Sequence, residues 1–243
     1  MRKYHWIPDL PDHRDKLYAH AAISIPAKID LRNICSTVEN QANLGSCTGN
    51  ALVGAMECLE NIEKTQFVDL SRLFVYYNER ALEHTISQDA GALIRDGIKS
   101  LASTGVCTEA LWPYDIAKFK KKPTAPCFKD ATIRKISSYN RLTTLGDMQN
   151  CLAAGFPFVF GFSVYESFEG PAVAKTGIVN MPTKDEKCLG GHAVLCVGYD
   201  NATKRFLVRN SWGNEWGMAG FFTIPYDYLT NRSLSDDFWT IRK

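Results

Sequence analysis

A chain of 243 residues with 45% hydrophobic and 22% charged side chains is long enough for one large domain or two small lobes sharing a core. Its 28 Lys and Arg against 26 Asp and Glu leave a net charge of +2, too small to make nucleic acid or an anionic membrane the main partner. Apolar runs such as Phe156 to Phe162 fall well short of the roughly 20 residues of a bilayer-spanning helix, so no membrane insertion is expected.

Residues 1–25 read as a leader. Two basic residues at its start are not followed by an apolar run, so it is not a Sec signal peptide. The expected location is the cytoplasm, or outside it by a route without such a signal. Trp6-Ile-Pro-Asp-Leu-Pro-Asp-His-Arg14 is extended and stiffened by proline. It suits a strap packed on the body or a short propeptide lying in a cleft.

The stretch from Gln41 to Glu60 is the most informative. Leu52, Ala55, Met56, Leu59 and Ile62 recur at spacings of three and four, which predicts a helix with one buried face. Cys47 then sits in its first turn. Unpaired N–H groups and the positive end of the macrodipole there favour an anion, so the thiol is expected to be activated. Helical spacing recurs over Ser71 to Glu83 and Gly91 to Ser103. A loop rich in Pro and Lys, from Trp112 to Pro126, marks a boundary. Strands are expected at Thr132 to Tyr139, Phe156 to Val164, Gly177 to Asn180, His192 to Tyr199, Arg205 to Asn210 and Gly220 to Ile224, with a helix at Leu145 to Ala154. Helices in the first half and strands in the second predict an α+β protein of two packed lobes.

The eight cysteines show no C-x-x-C pair and no Cys/His cluster at zinc spacing. Free thiols, a reducing compartment and no metal or cofactor are expected. The sequons at Asn201 and Asn231 read as chance matches.

A cysteine nucleophile needs a base, and the base needs a group to fix its ring. Of the five histidines, His5, His13 and His20 lie in the leader and His84 near a helix end. His192 follows Gly190-Gly191 and opens an apolar strand; taken alone, it reads as a buried structural histidine ahead of a catalytic one. Antiparallel pairing of 192–199 with 205–210 would return Asn210 toward it, where an amide can hydrogen-bond the imidazole and Trp212 can shield that bond. Asn210-Ser-Trp alone could be a plain turn.

Together, Gln41, Gly45-Ser-Cys47, Gly191-His-Ala-Val194, Val197-Gly-Tyr199 and Asn210-Ser-Trp-Gly-x-x-Trp-Gly217 resemble the papain-like cysteine proteases (peptidase family C1). The match runs from about Pro26 to Ile224. In papain-type enzymes His and Asn lie roughly 130 to 150 residues beyond the nucleophile; His192 falls inside that window and Asn210 just past it. The resemblance implies a catalytic domain over 26–243, with a helical lobe at about 36–130, an antiparallel β-barrel-like lobe at about 131–243 and the site in the cleft between them. It implies a cysteine endopeptidase acting on peptides or proteins, with Cys47 as nucleophile, His192 as acid/base partner and Asn210 as orienter. Gln41 and the Cys47 N–H would form the oxyanion hole, and the thiol and imidazole would rest as an ion pair. Gly45, Ser46 and Gly191 would flank the substrate, Gly91 would pair with its backbone, and Trp212 and Trp216 would wall the leaving-group side. Ala92, Gly161 and Leu189 would bound the pocket for the second residue before the scissile bond; small residues at two of these positions imply a roomy pocket for bulky apolar side chains, and whether Asp227 lies deep enough to admit basic ones is left open.

The family's usual cysteine three residues before the nucleophile and tryptophan directly after it are Leu44 and Thr48 here. The disulfide beside the site is thus absent, as in the bacterial branch of the family. Two other readings remain: a Cys-His amidase or acyltransferase, which would use an aspartate as third member, and a catalytically silent papain-like binding module.

Overall fold

The computed structural model describes residues 4–19, 24–63 and 67–243; the leader positions 1–3 and 20–23, His20 among them, lie outside the described residues. The strands are β1 (Lys28–Asp30), β2 (Ser138–Arg141), β3 (Phe158–Tyr165), β4 (Cys188–Asp200), β5 (Arg205–Arg209), β6 (Phe221–Pro225) and β7 (Ser235–Arg242). The α-helices are α1 (Cys47–Ile62), α2 (Arg72–Leu82), α3 (Ile94–Ser103), α4 (Ala125–Ala131), α5 (Leu145–Ala153), α6 (Pro171–Thr176) and α7 (Tyr226–Thr230). The antiparallel sheet runs β2-β7-β3-β4-β5-β6, with β1 also on β4. It is open, so the fold is α+β without a closed barrel.

Alternation along the two central strands builds two cores. Phe158, Phe160, Phe162 and Val164 on β3, with Val194 and Cys196 on β4, face a cluster containing Phe206, Phe222 and Phe238. Val159, Ala193, Leu195 and Val197 face the other way, onto Leu52, Ala55, Met56 and Leu59 of α1. Helix α1 is therefore the central element. It is buried from Cys47 to Glu60, on nearly every side and not on one face as its spacing predicts. Its buried carboxylate Glu57 accepts the Leu70 N–H at 3.1 Å and the Ser36 hydroxyl. Close approach also demands small residues: a Cβ on Gly49 would lie 3.0 Å from the Arg72 carbonyl oxygen of α2.

Several elements depart from expectation. Residues 132–135 turn back after α4, leaving only Ser138–Arg141 as strand. Gly177 to Asn180 is reduced to a single bridge between Ile178 and Thr223. The Pro-rich loop contains α4, which starts with Pro126 near its N-terminus, where a missing N–H costs nothing. Helix α5 begins with a reciprocal cap: the Asp147 N–H donates to Thr144 Oγ1 at 3.0 Å and the Thr144 N–H to Asp147 Oδ2 at 2.9 Å. All eight cysteines are free, with Cys35 and Cys58 sulfurs 3.7 Å apart.

Phe160 is fully buried and stacks on Phe238 with centroids 5.7 Å apart. Phe160→Ala is expected to lose about 3 to 5 kcal/mol of stability, read from the denaturant midpoint; a loss under about 1 kcal/mol would show that the β core repacks freely.

Candidate active site

Cys47 is the first residue of α1, and Ser46 before it supplies no side-chain cap, so the first-turn N–H groups are not claimed by a cap. The backbone N–H groups of Ala193, Thr48 and Cys47 itself act to lower the pKa of the Cys47 thiol. Cys47 and Ala193 share a core cluster, which brings the helix start against β4 next to His192. Burial nevertheless dominates: it pushes the fully buried thiol up to about 12, the Glu79 carboxylate adds to this, and the three N–H groups only partly offset it. The expected resting ion pair is therefore not favoured in this covered state.

His192 is fully buried, and its ring shares a 2.8 Å hydrogen bond between Nε2 and Asn210 Oδ1. An amide oxygen can only accept, so the proton sits on Nε2 and Nδ1 is the basic nitrogen. Asn210 follows β5 directly and is held by its N–H to the Gly220 carbonyl at 3.0 Å. Trp212 stacks on the imidazole with centroids 5.2 Å apart, shielding the bond from water. Trp216 lies behind it, edge-on at 5.0 Å from Trp212 and buried.

Gln41 is tied to the same turn. Its N–H donates to the Ser211 carbonyl at 2.9 Å, its Oε1 accepts the Ser211 hydroxyl at 2.5 Å, and Nε2 donates to the Leu44 carbonyl at 2.9 Å. The side chain is thereby aimed with one of its two N–H groups in use. Tyr114, in the loop read as a boundary, donates its hydroxyl to the Gln41 carbonyl at 3.0 Å and lies 2.5 Å from Ser46 Oγ. No sequence signal marks that role. Thr48 donates to Glu79 Oε2 at 2.8 Å, and burial pushes that carboxyl up to about 8.

The described leader lies across this site. His5 bridges Gly191 in parallel, and the Trp6 N–H donates to the Gly191 carbonyl at 2.9 Å. A Cβ on Gly45 would meet the His5 ring, and one on Gly91, whose φ is +76°, would lie 2.4 Å from the His5 carbonyl oxygen. Tyr4 stands edge-on to His192 and Trp212, 6.1 and 6.2 Å away, and its hydroxyl donates to Glu169. The Trp6 indole covers Gly161, where a Cβ would fall 1.9 Å from Cε2. Its Nε1–H donates to Asp237 Oδ2 at 3.1 Å, which also accepts the Asp9 N–H at 2.8 Å. Ala92 packs with Leu44, Leu73 and Phe74 on the helical side, Leu189 is exposed, and Asp227 is an exposed residue of α7. The acidic group that meets Trp6 is Asp237, ten positions beyond Asp227.

Beyond the cleft the leader is pinned by charge. The Trp239 indole donates to Asp9 Oδ2 at 3.2 Å, Arg95 reaches the Leu10 carbonyl at 2.8 Å and Asp15 at 2.6 Å, and Arg141 reaches Asp15 at 3.2 Å and Asp237 at 3.0 Å. The Tyr18 N–H and Lys16 carbonyl pair with the backbone of Arg141 on β2.

The sequence profile of the papain family cysteine proteases matches residues 25–235. A peptidase C1-like protein of Acanthamoeba polyphaga mimivirus is 41% identical over all of this chain and 87% of its own length. Mouse pro-cathepsin H is 29% identical over 82% of this chain, which spans 60% of that longer relative. Among solved structures, xylellain, a cysteine protease from Xylella fastidiosa, superposes with a TM-score of 0.92 at 42% identity, covering 99% of this chain and 96% of xylellain. The fold and the order of these residues thus define a papain-like thiol hydrolase. The chain belongs to the papain family of cysteine proteases, with relatives in both a bacterium and a virus.

Two outcomes follow from the leader's position. Alkylation of Cys47 by iodoacetamide at pH 7.5 should be at least about tenfold faster in Trp6→Ala than in the unaltered chain, a ratio set by release from burial; equal rates would mean that the leader does not cover the thiol. Burial and the neighbouring Asp9 push the Asp237 carboxyl up to about 7, although Arg141 opposes them. The part of the leader's hold linked to this raised carboxyl is complete below the ordinary carboxylate range and declines as pH rises through about 7, while the Gly191 hydrogen bond and the Asp15 ion pairs persist. Hydrogen exchange at the Trp6 and Asp9 amides, corrected for intrinsic rates, should show protection falling from pH 5 to pH 8; protection rising with pH would contradict this linkage.

Proposed function

We propose that this chain is an endopeptidase working through Cys47, His192 and Asn210, with residues 4–19 as a built-in plug of the cleft. The observation that carries the reading is the 2.8 Å His192–Asn210 hydrogen bond, with Ala193, the residue after His192, in one packed cluster with Cys47. That arrangement supplies a base held by its orienter, on the strand that packs against the helix carrying the nucleophile.

Cys47 Sγ attacks the scissile carbonyl carbon while its proton passes to His192 Nδ1. The carbonyl oxygen becomes an oxyanion received by the Cys47 N–H and the second Gln41 Nε2–H. His192 then gives the proton to the leaving nitrogen as the C–N bond breaks, leaving a thioester on Cys47. Water, deprotonated by His192, attacks that thioester; the acid leaves and the proton returns to sulfur. Asn210 holds the ring in the required tautomer without adding a charge. Amidases and acyltransferases of the Cys-His type use an aspartate as third member, and an asparagine occupies that place here; a silent binding module would not need all four residues kept.

The leader's direction supports its reading as a plug. It runs from Tyr4 beside Trp212 to Trp6 over Gly161, from the leaving-group side toward the pocket for the second residue before the scissile bond. A substrate filling those places would run the other way. The leader thus takes the Gly191 hydrogen bond without presenting a peptide bond in the attackable direction.

An epoxide inhibitor of cysteine proteases should label Cys47 alone in Trp6→Ala, with labelling suppressed by a further His192→Ala; a folded protein that takes no label would sink the catalytic reading. Gln41→Ala is expected to lower kcat about 100- to 1000-fold, measured on a fluorogenic peptide, and an unchanged kcat would remove Gln41 from the oxyanion hole.

A further inference from the structure

The slot that holds Trp6 has an unusual closed end. Its walls are the bare backbones of Gly161 on β3 and Gly191 on β4, which admit a flat ring at contact distance. At its end stands Asp237 of β7, a buried residue in the left-handed region at φ +57°. Aspartate tolerates that conformation better than most residues because of its short polar side chain.

Displacing the leader removes both donors from Asp237 Oδ2, the Trp6 indole and the Asp9 N–H, while Arg141 keeps Oδ1 at 3.0 Å. An acceptor at the end of an apolar slot then lacks a partner, and a side chain entering without a donor leaves it desolvated and unsatisfied. The surrounding charge decides what kind of donor fits. Asp237 and Asp236 face Arg141, which pairs with both, at 3.0 and 2.8 Å. When Trp6 leaves the slot, Asp15 stays on Arg95 at 2.6 Å and on Arg141 at 3.2 Å. Asp15, Asp236 and Asp237 are thus already paired with Arg95 and Arg141, and an entering cation would have to compete with two resident guanidiniums for Asp237.

We propose that Asp237 makes this slot select substrates with tryptophan as the second residue before the scissile bond, read by the indole N–H and not by positive charge. The proposal rests on the peptidase reading above and specifies its substrate class. A basic side chain would have to lodge a charged head beside Arg141 and Arg95, and phenylalanine or leucine would fill the slot without satisfying Oδ2.

The test compares peptides identical except at that residue: tryptophan, 3-benzothienylalanine, which has the same two-ring shape without the N–H, and arginine. The enzyme is the full chain carrying Trp6→Ala, assayed at pH 7.5. The tryptophan peptide should exceed the benzothienylalanine peptide about tenfold or more in kcat/KM, the scale of a hydrogen bond to a charged acceptor, and should also exceed the arginine peptide. Asp237→Asn keeps the backbone conformation accessible, but its amide oxygen is drawn to Arg141 and its NH2 faces the slot; the tryptophan ratio should fall to about one. Equal rates for the isosteric pair in Trp6→Ala would overturn the proposal whether or not the Asp237 variant folds, and so would a preference for arginine. If no peptide is cleaved, the peptidase reading fails separately. Calorimetric binding of the same isosteric pair to the chain carrying Trp6→Ala and Cys47→Ala then still decides the slot: a tenfold difference supports N–H recognition and equal affinities reject it.

Discussion

The seating of α1 on β4 is the contact on which the rest of the molecule depends. The helix is buried along Cys47–Glu60, and its apolar side chains meet Ala193, Leu195 and Val197, the face of β4 opposite to His192. Because β4 is the strand that carries His192 and pairs with both β3 and β5, one hydrophobic contact fixes the distance between nucleophile and base. Positions that would hold the helix off are small or polar and anchored. Gly54 faces Arg209, whose guanidinium is itself held by Ser36 and by the Thr37 carbonyl. A cavity or an extra methylene in this layer is therefore felt at the sulfur, since packed cores transmit such changes and do not absorb them.

The same burial sets two physical effects against each other at Cys47. The open first turn of α1 offers N–H groups and the helix dipole, which favour a thiolate by at most about 2 kcal/mol in partly buried geometries. Complete burial acts in the opposite direction and wins while the leader is in place. The two can be reconciled only by a change of cover: the helix start is a permanent feature, whereas the indole and imidazole of the leader are not. The activating groups are built into the body, and on the proposed reading the leader, whose Trp6 shares a core cluster with Cys47, adds cover that a substrate would displace.

How much of this was legible in the sequence follows from how local each feature is. Cys47 was legible because a helix start is written in a few consecutive residues, and His192 and Asn210 because one hairpin sets their approach, with β4 and β5 pairing as Leu195 to Arg209 and Asp200 to Arg205. Strand β7 was not, although it lies in mid-sheet between β2 and β3. Its Asp236-Asp237 pair breaks the apolar alternation, and these carboxylates make sense only beside Arg141, about a hundred residues earlier in the chain. The Trp6 slot was hidden for the same reason: its two glycines and its aspartate come from three different strands, so nothing in any one segment announces it. Whether Asp227 reaches the pocket is left open by the sequence; it stands exposed on α7, and the carboxylate that meets Trp6 is Asp237 of β7.

The leader's architecture explains how so short a segment can hold the cleft. Its contacts in the site are few: one backbone hydrogen bond to Gly191, the Tyr4 ring, His5 against Gly45 and Gly91, and the Trp6 indole. Each would be weak in a free peptide, which must also give up translational and rotational freedom on binding. Here residues 15–18 are already fixed on β2 and to Arg95 and Arg141, so Trp6 is presented to its slot at the high local concentration of an intramolecular group. Closure then needs only a modest favourable contact at the slot, and a substrate in large excess competes against that contact alone. On the proposed reading, the distant ion pairs keep the leader on the body while the slot exchanges its occupant, and the indole–Asp237 contact becomes the place where substrate and leader compete.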